Sequence, residues 1–349
     1  MTIAERAAPH HAALSRARLT RLSVAGVVLA VAVVVDLLTG PAFLSVPDVL
    51  RTLVLPDAAP ARLRVIVWDL RLPLTFMAIM VGVALGVAGT LMQTMLGNPL
   101  ASPYTLGFSA AAGFGASLTI LTGVSLPLFP SLTIPLAAIA GCAIAAAMVY
   151  GVSRVRGMTA EVMVLAGIAT LFLFQSLQSL AQYVASPEVL QAMVFWLFGS
   201  LLKASWQNVP IVFGLVAVSL LALIPDLWKV TALRLGDARA AAVGINVARL
   251  RIKLFTLVTL LTAAAVAFVG TIGFVGLVAP HVARMLVGED HRVLVPMAAI
   301  CGAIVMVSAS ILSKLVSPGA VVPIGIVTAV VGVPFLFALT LSGRRNHWG

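Results

Sequence analysis

The side chains in this 349-residue chain most able to do chemistry are amides and hydroxyls inside an apolar stretch. Gln175, Gln178, Ser179 and Gln182 recur at spacings of three, four and seven, which places them along one face of a helix. An amide surrounded by hydrocarbon is costly unless it is paired, so this face should contact protein or water. The pattern indicates either hydrogen bonds between helices, worth about 1 kcal/mol each, or the polar wall of a pathway through a membrane.

Covalent catalysis has little support in the sequence. Ser109, in the run GFSA, and the distant His281 superficially resemble the serine and histidine of an intramembrane protease, but a nucleophile needs an adjacent base and an oxyanion site. Ser109 is followed by AAAGFGA, a run of mostly small residues that favours close helix packing. Cys142 and Cys301 lie in apolar runs, so we expect neither a disulfide nor a metal site. No catalytic residue and no resident cofactor are predicted.

The composition is that of a polytopic membrane protein. Hydrophobic residues make up 61% of the chain, charged residues 9%, and the mean hydropathy is +1.14. The net charge of +11 comes from basic residues placed between apolar runs, which suits membrane topology better than binding to nucleic acid.

Ten apolar runs are long enough to cross a hydrocarbon core of about 30 Å. They are residues 22–38, 74–96, 104–126, 132–153, 161–183, 207–228, 250–270, 273–287, 293–313 and 321–341. Residues 189–202 are too few for a span and predict an interfacial or re-entrant helix. With ten spans and a cytoplasmic N-terminus, 16 of the 22 Lys and Arg residues lie inside, as the positive-inside rule requires. An eleventh span would leave only eight inside.

This topology divides the chain into a cytoplasmic tail (1–21), one membrane domain (22–342) and a second cytoplasmic tail (343–349). It also places residues 233–249, here called the coupling segment, in the cytoplasm. The segment is too polar for lipid and rich in good helix formers, with Gly236 and Gly244 permitting tight turns. It is either a solvated loop or a small-residue surface that packs against another protein.

Several segments together resemble the FecCD family, the permease subunits of type II ABC importers for ferric siderophores, haem and cobalamin. The matching segments are residues 71–116, 235–246, 270–292 and 323–339, in the family's order. The resemblance implies an all-α fold of ten transmembrane helices with inverted repeats. It also implies a dimer with a second copy or a paralogue, two cytoplasmic ATPase subunits and a periplasmic binding protein, in a bacterial inner membrane.

The resemblance also assigns roles to residues. The coupling segment would dock into the ATPase through Gly236, Asp237, Arg239, Gly244 and Asn246. The fifth span, with Gln175, Gln178, Ser179 and Gln182, would line the substrate pathway. Thr159 and Ala160 would belong to the cytoplasmic gate, and Arg71 and Lys314 would meet carboxylates of the binding protein.

The predicted function is therefore import of an iron chelate, most closely a ferric siderophore, by alternating access, with haem or cobalamin as alternative cargo. ATP and Mg²⁺ would bind only to the partner subunits, because none of the four lysines follows a glycine as a phosphate loop requires. The alternative outside this family is an ion-coupled transporter, which needs a carboxylate inside the membrane; Asp36, Asp69 and Glu161 all fall near span ends.

Overall fold

A computed structural model describes residues 3–40, 44–316 and 321–342. Within these ranges the regular structure is entirely helical. The helices are α1 (Ile3–Leu38), α2 (Val46–Val54), α3 (Ala61–Arg64), α4 (Leu72–Met95), α5 (Phe108–Thr122), α6 (Thr133–Arg156), α7 (Ala160–Tyr183), α8 (Pro187–Leu197), α9 (Val209–Leu223), α10 (Leu227–Leu233), α11 (Asp237–Ala242), α12 (Val247–Val269), α13 (Val275–Val287), α14 (His291–Leu315) and α15 (Ile324–Ser342).

Each of the ten predicted spans corresponds to an apolar helix, which confirms the all-α polytopic fold. Seven helices of the described chain are long and apolar enough to cross a membrane, and α5, α13 and α15 are shorter apolar helices. The stretch around α8 forms only 11 helical residues, about 16 Å at 1.5 Å per residue, which is too short to span. The predicted tail 343–349 lies outside the described residues.

Some predicted boundaries were wrong for local backbone reasons. The third span was placed at 104–126, but α5 is bounded by Gly107 and Gly123, both in the left-handed conformation that ends a helix. The sixth span, predicted at 207–228, is one apolar span, Val209–Leu233, in which a short 3-10 segment containing Pro225 joins α9 to α10.

The second span is longer than its apolar run suggested. α3, a π-helical stretch (Val65–Arg71) and α4 form one continuous helix of 35 residues. Pro73, which lacks the amide hydrogen that a helix interior needs, lies two residues beyond the π-helical stretch. Arg71 closes the π-helical stretch, so the extra residue per turn there sets the direction of its side chain.

Close backbone contact holds α4 at the centre of the bundle. Gly82 and Gly86 face the backbone of α14 at Gly302 and Ala298, and Gly89 faces α13 at Gly276. A methyl group built on any of these three α4 glycines would lie within 3.0 Å of a backbone atom of the neighbouring helix. Because lipid offers no hydrophobic drive for helix association, this close approach supplies much of the packing energy.

We expect Gly82→Ala to destabilise the bundle by about 1 to 3 kcal/mol, since α4 and α14 must separate to admit the methyl group. The matched control is Gly214→Ala on α9, where nothing lies within 4 Å of the added carbon; its better helix propensity should leave the protein equally stable or more so. Thermal unfolding followed by circular dichroism in one detergent measures both. Equal midpoints for the two variants would contradict this packing.

Candidate functional site

The coupling segment forms an exposed surface built around one short helix. Coupling helices were predicted at residues 233–249, and the structure has α11 and the start of α12 there. Gly236 and Gly244 both have positive φ, +94° and +84°, and turn the chain before and after α11. Asn246 accepts a hydrogen bond from the Arg249 amide and caps α12. The five predicted ATPase-coupling residues thus lie in one continuous turn–helix–turn.

The coupling segment has one face packed against the bundle and one face exposed. Ala240 and Ile245 are buried and fix the segment to the bundle, whereas Arg239 is exposed. Leu235 and Val243 are 61% and 62% exposed on either side of α11. An exposed apolar pair beside a cation is typical of a protein-binding surface. The sequence analysis missed these two residues because they look like ordinary bundle residues.

A chain of polar contacts connects the start of the coupling segment to the transmembrane helices. Arg234, after α10, forms an ion pair with Glu289, which also accepts a hydrogen bond from Arg284 Nε at 3.0 Å. Arg284 Nη2 then donates to Gln93 Oε1 on α4, again at 3.0 Å. These contacts join α10, α13 and α4 at one end of the bundle.

His291 adds further polar contacts at the same end of the bundle. Its Nε2 lies 2.7 Å from Thr94 Oγ1 on α4, and its backbone amide donates to Thr231 Oγ1 on α10 at 2.9 Å. The preceding Asp290 caps α14, and a side-chain hydrogen bond from Arg292 lowers the pKa of this carboxyl. The helix ends next to the coupling segment are therefore held by directional contacts.

Arg71 and Lys314 come together at the opposite end of the bundle, around Asp36. Lys314 Nζ lies 2.7 Å from Asp36 Oδ1, Thr75 Oγ1 donates to Asp36 Oδ2 at 2.5 Å, and Arg71 Nη1 donates to the Leu37 carbonyl at 2.5 Å. Asp36 is fully buried, and the Lys314 side chain is only 5% exposed.

This burial bears on the docking role predicted for the two cations. Arg71 and Lys314 were expected to meet carboxylates of a binding protein; in this single chain both lie inward, near the Asp36 carboxylate at the end of α1, and the docking role stays a prediction. In this structure they tie α1, α4 and α14 together. The sequence analysis placed Asp36 near a span end without connecting it to either cation.

The four polar residues of α7 separate into two pairs. Gln175 and Ser179 are exposed, whereas Gln178 and Gln182 are partly buried. The Gln178 amide lies against Gly113 of α5, as interhelical packing requires. Uncompensated amides are costly in lipid, so the exposed pair fits a face that meets water or another subunit.

The gate residues lie at the start of the same helix. Thr159 Oγ1 caps α7 by accepting from the Val162 amide at 3.4 Å, and Ala160 is its first residue. Among the described residues, no group of three His, Cys, Asp or Glu side chains is placed to hold a metal ion.

We expect Asp36→Asn to destabilise the protein by about 3 to 5 kcal/mol, because it leaves two buried cations without their counter-charge. Adding Lys314→Met to Asp36→Asn should restore part of the loss, since it removes one unpaired charge. Thermal unfolding in a single detergent measures the series.

The control for this series is Asp57→Asn. Asp57 also pairs with an arginine, Arg64, but its side chain is 89% exposed, so its loss should leave the unfolding midpoint unchanged. A midpoint for Asp36→Asn equal to that of Asp57→Asn would disprove the structural role of the buried cluster.

Comparison with known proteins agrees with this architecture. The sequence matches the FecCD transport family over residues 28–342. The Fe(3+)-citrate import system permease protein YfmD of Bacillus subtilis is 35% identical over 335 residues, covering 95% of this chain and 97% of that protein. The hemin transport system permease protein HmuU of Yersinia pestis is 34% identical, covering 81% of this chain and 85% of that protein.

A solved structure has the same fold. It is described as an inward-facing conformation of a metal-chelate type ABC transporter; it superimposes with a TM-score of 0.83 at 29% identity, over 92% of this chain and 99% of that one. Fold, span number and a match over nearly the whole length thus agree, and the chain belongs to the FecCD transport family as a multi-pass membrane permease.

Proposed function

We propose that this chain is the permease subunit of an ATP-driven importer that carries an iron chelate, most closely a ferric siderophore, into the bacterial cytoplasm. The observation that carries the proposal is the nearly full-length match to a permease of an Fe(3+)-citrate import system. Haem and cobalamin are the alternative cargo, because permeases named for hemin and vitamin B12 import match over similar lengths.

The proposed complex contains two permease subunits, either two copies of this chain or this chain with a paralogue. Two cytoplasmic ATPase subunits bind ATP and Mg²⁺, and a periplasmic binding protein delivers the cargo. The sequence has no phosphate loop, and the exposed surface formed by Leu235, Arg239 and Val243 is where an ATPase would dock. In this arrangement the permease lies in the inner membrane with both termini in the cytoplasm, and it catalyses no reaction itself.

Alternating access requires a path that opens to one side at a time. We assign its wall to the exposed side of α7, with Gln175 and Ser179, and its cytoplasmic gate to Thr159 and Ala160. Beside this wall Gln178 packs against Gly113 of α5, and Gln182 is partly buried. Binding-protein contacts fall to exposed basic residues on the same side as the buried cluster, such as Arg62 and Arg64.

Transport in proteoliposomes tests the proposal. The chain is reconstituted with a phosphate-loop ATPase and a secreted binding protein from the neighbouring reading frames, and offered labelled ferric citrate, a ferric hydroxamate siderophore, haem or cobalamin. We expect uptake of the iron chelates only when ATP and both partners are present. Preferential uptake of haem or cobalamin would identify that compound, instead of an iron chelate of the siderophore type, as the cargo. Uptake by the chain alone, driven by an ion gradient, would contradict the proposal.

A further inference from the structure

A buried arginine connects the coupling segment to the start of α7. Arg251, on the first turns of α12, donates from Nη1 to Asp237 Oδ2 at 2.7 Å and from Nη2 to Asp237 Oδ1 at 2.9 Å. The same Nη1 donates to the backbone carbonyl of Met158 at 2.7 Å. The arginine therefore contacts α11 on one side and the loop before α7 on the other.

The geometry makes this contact rigid. Arg251 is only 7% exposed, and its planar guanidinium binds both oxygens of one carboxylate, which fixes its orientation as well as its distance. Asp237 is the first residue of α11, so holding its carboxylate holds the end of the short helix. Met158 immediately precedes Thr159, which caps α7, so holding the Met158 carbonyl holds the first turn of α7.

The other contacts that anchor α11 and the turn after it are less directional. Ala240 and Ile245 anchor it through apolar packing, which permits sliding, whereas a hydrogen-bonded ion pair keeps a defined geometry. Asp237 is 52% exposed, so a docked partner can reach the carboxylate that Arg251 holds. A displacement of α11 is therefore transmitted through the guanidinium to the loop that begins α7.

We propose that Arg251 is the positioning residue that transmits movement of α11 to the cytoplasmic gate at Thr159 and Ala160. This inference rests on the proposed function, because it assumes that a partner moves α11. Arg251 binds neither cargo nor nucleotide; it acts by keeping Asp237 and the Met158 carbonyl at a fixed separation. Arg251 lies two residues beyond the coupling segment, and its two contacts are 14 and 93 positions away in sequence.

The test compares Arg251→Gln and Asp237→Asn with the control Arg249→Gln. Arg249 lies on the same turn of α12 but is exposed, so the control removes an equal charge without breaking the link. Asp237→Asn removes the ion pair but keeps the buried arginine, so the link can still be tested if Arg251→Gln folds poorly. Hydrogen exchange of the permease alone in nanodiscs reports on residues 237–242 and 158–164. The reconstituted importer reports cargo moved per ATP hydrolysed.

For both link variants we expect exchange in residues 237–242 and 158–164 to rise about tenfold, because each segment loses a shared restraint. Cargo moved per ATP should fall about tenfold while hydrolysis continues. The control should match the unmodified chain in hydrogen exchange of both segments. Arg251→Lys should retain part of the coupling, because an ammonium keeps the charge but not the two-pronged geometry.

The inference is overturned if exchange rises in 237–242 but stays unchanged in 158–164, since movement would then not pass through Arg251. It is also overturned if Arg249→Gln raises hydrogen exchange in both segments as much as Arg251→Gln does. Failure of the proposed function gives a different result: the unmodified chain then shows no ATP-dependent transport, while the exchange measurement still reports whether the link exists.

Discussion

Inside a bilayer, apolar side chains gain nothing by leaving lipid for another helix, so helices associate through close backbone contact and hydrogen bonds. Here α4 meets this constraint with glycines at 82, 86 and 89, which allow α14 and α13 to approach its backbone. The rest of the bundle is arranged around this contact. A side chain at any of the three positions would push apart helices whose ends carry the charged clusters.

The two ends of the bundle use charge differently. At one end Asp36, Arg71 and Lys314 are buried and neutralised, which locks α1 to α4 and α14. At the other end the contacts of Arg234, Arg284 and His291 hold the helix termini, but α11 remains exposed beyond them. A fixed bundle with one exposed short helix suits a protein that receives movement from outside. The buried Arg251 is the polar connection between that helix and the start of α7.

Hydropathy was sufficient to predict the number and order of the apolar helices, because length and apolarity alone decide which segments can cross a membrane. It did not predict where α5 begins and ends, since Gly107 and Gly123 act through backbone conformation inside an apolar run. The periodicity of α7 predicted a polar face but not that Gln178 lies against α5 while Gln175 is exposed.

The charged contacts could not be predicted at all from local pattern. Lys314 meets Asp36 across 278 positions, and Arg251 meets Met158 across 93, so each pair depends on which helices become neighbours. The placement of Arg71 and Lys314 around Asp36 was missed for this reason, and their docking role stays a prediction. Family resemblance supplied the role of the coupling segment, and the structure added its exposed apolar pair and its link to α7.

The central claim is that α11 lies on the cytoplasmic side, where an ATPase can reach it. Cysteine labelling tests it directly, because Cys142 and Cys301 are buried and give little background. We expect Arg239→Cys to react with a membrane-impermeant maleimide in inverted vesicles and not in spheroplasts, and Asp57→Cys to do the reverse. Labelling of Arg239→Cys in intact spheroplasts would place α11 outside and contradict the account.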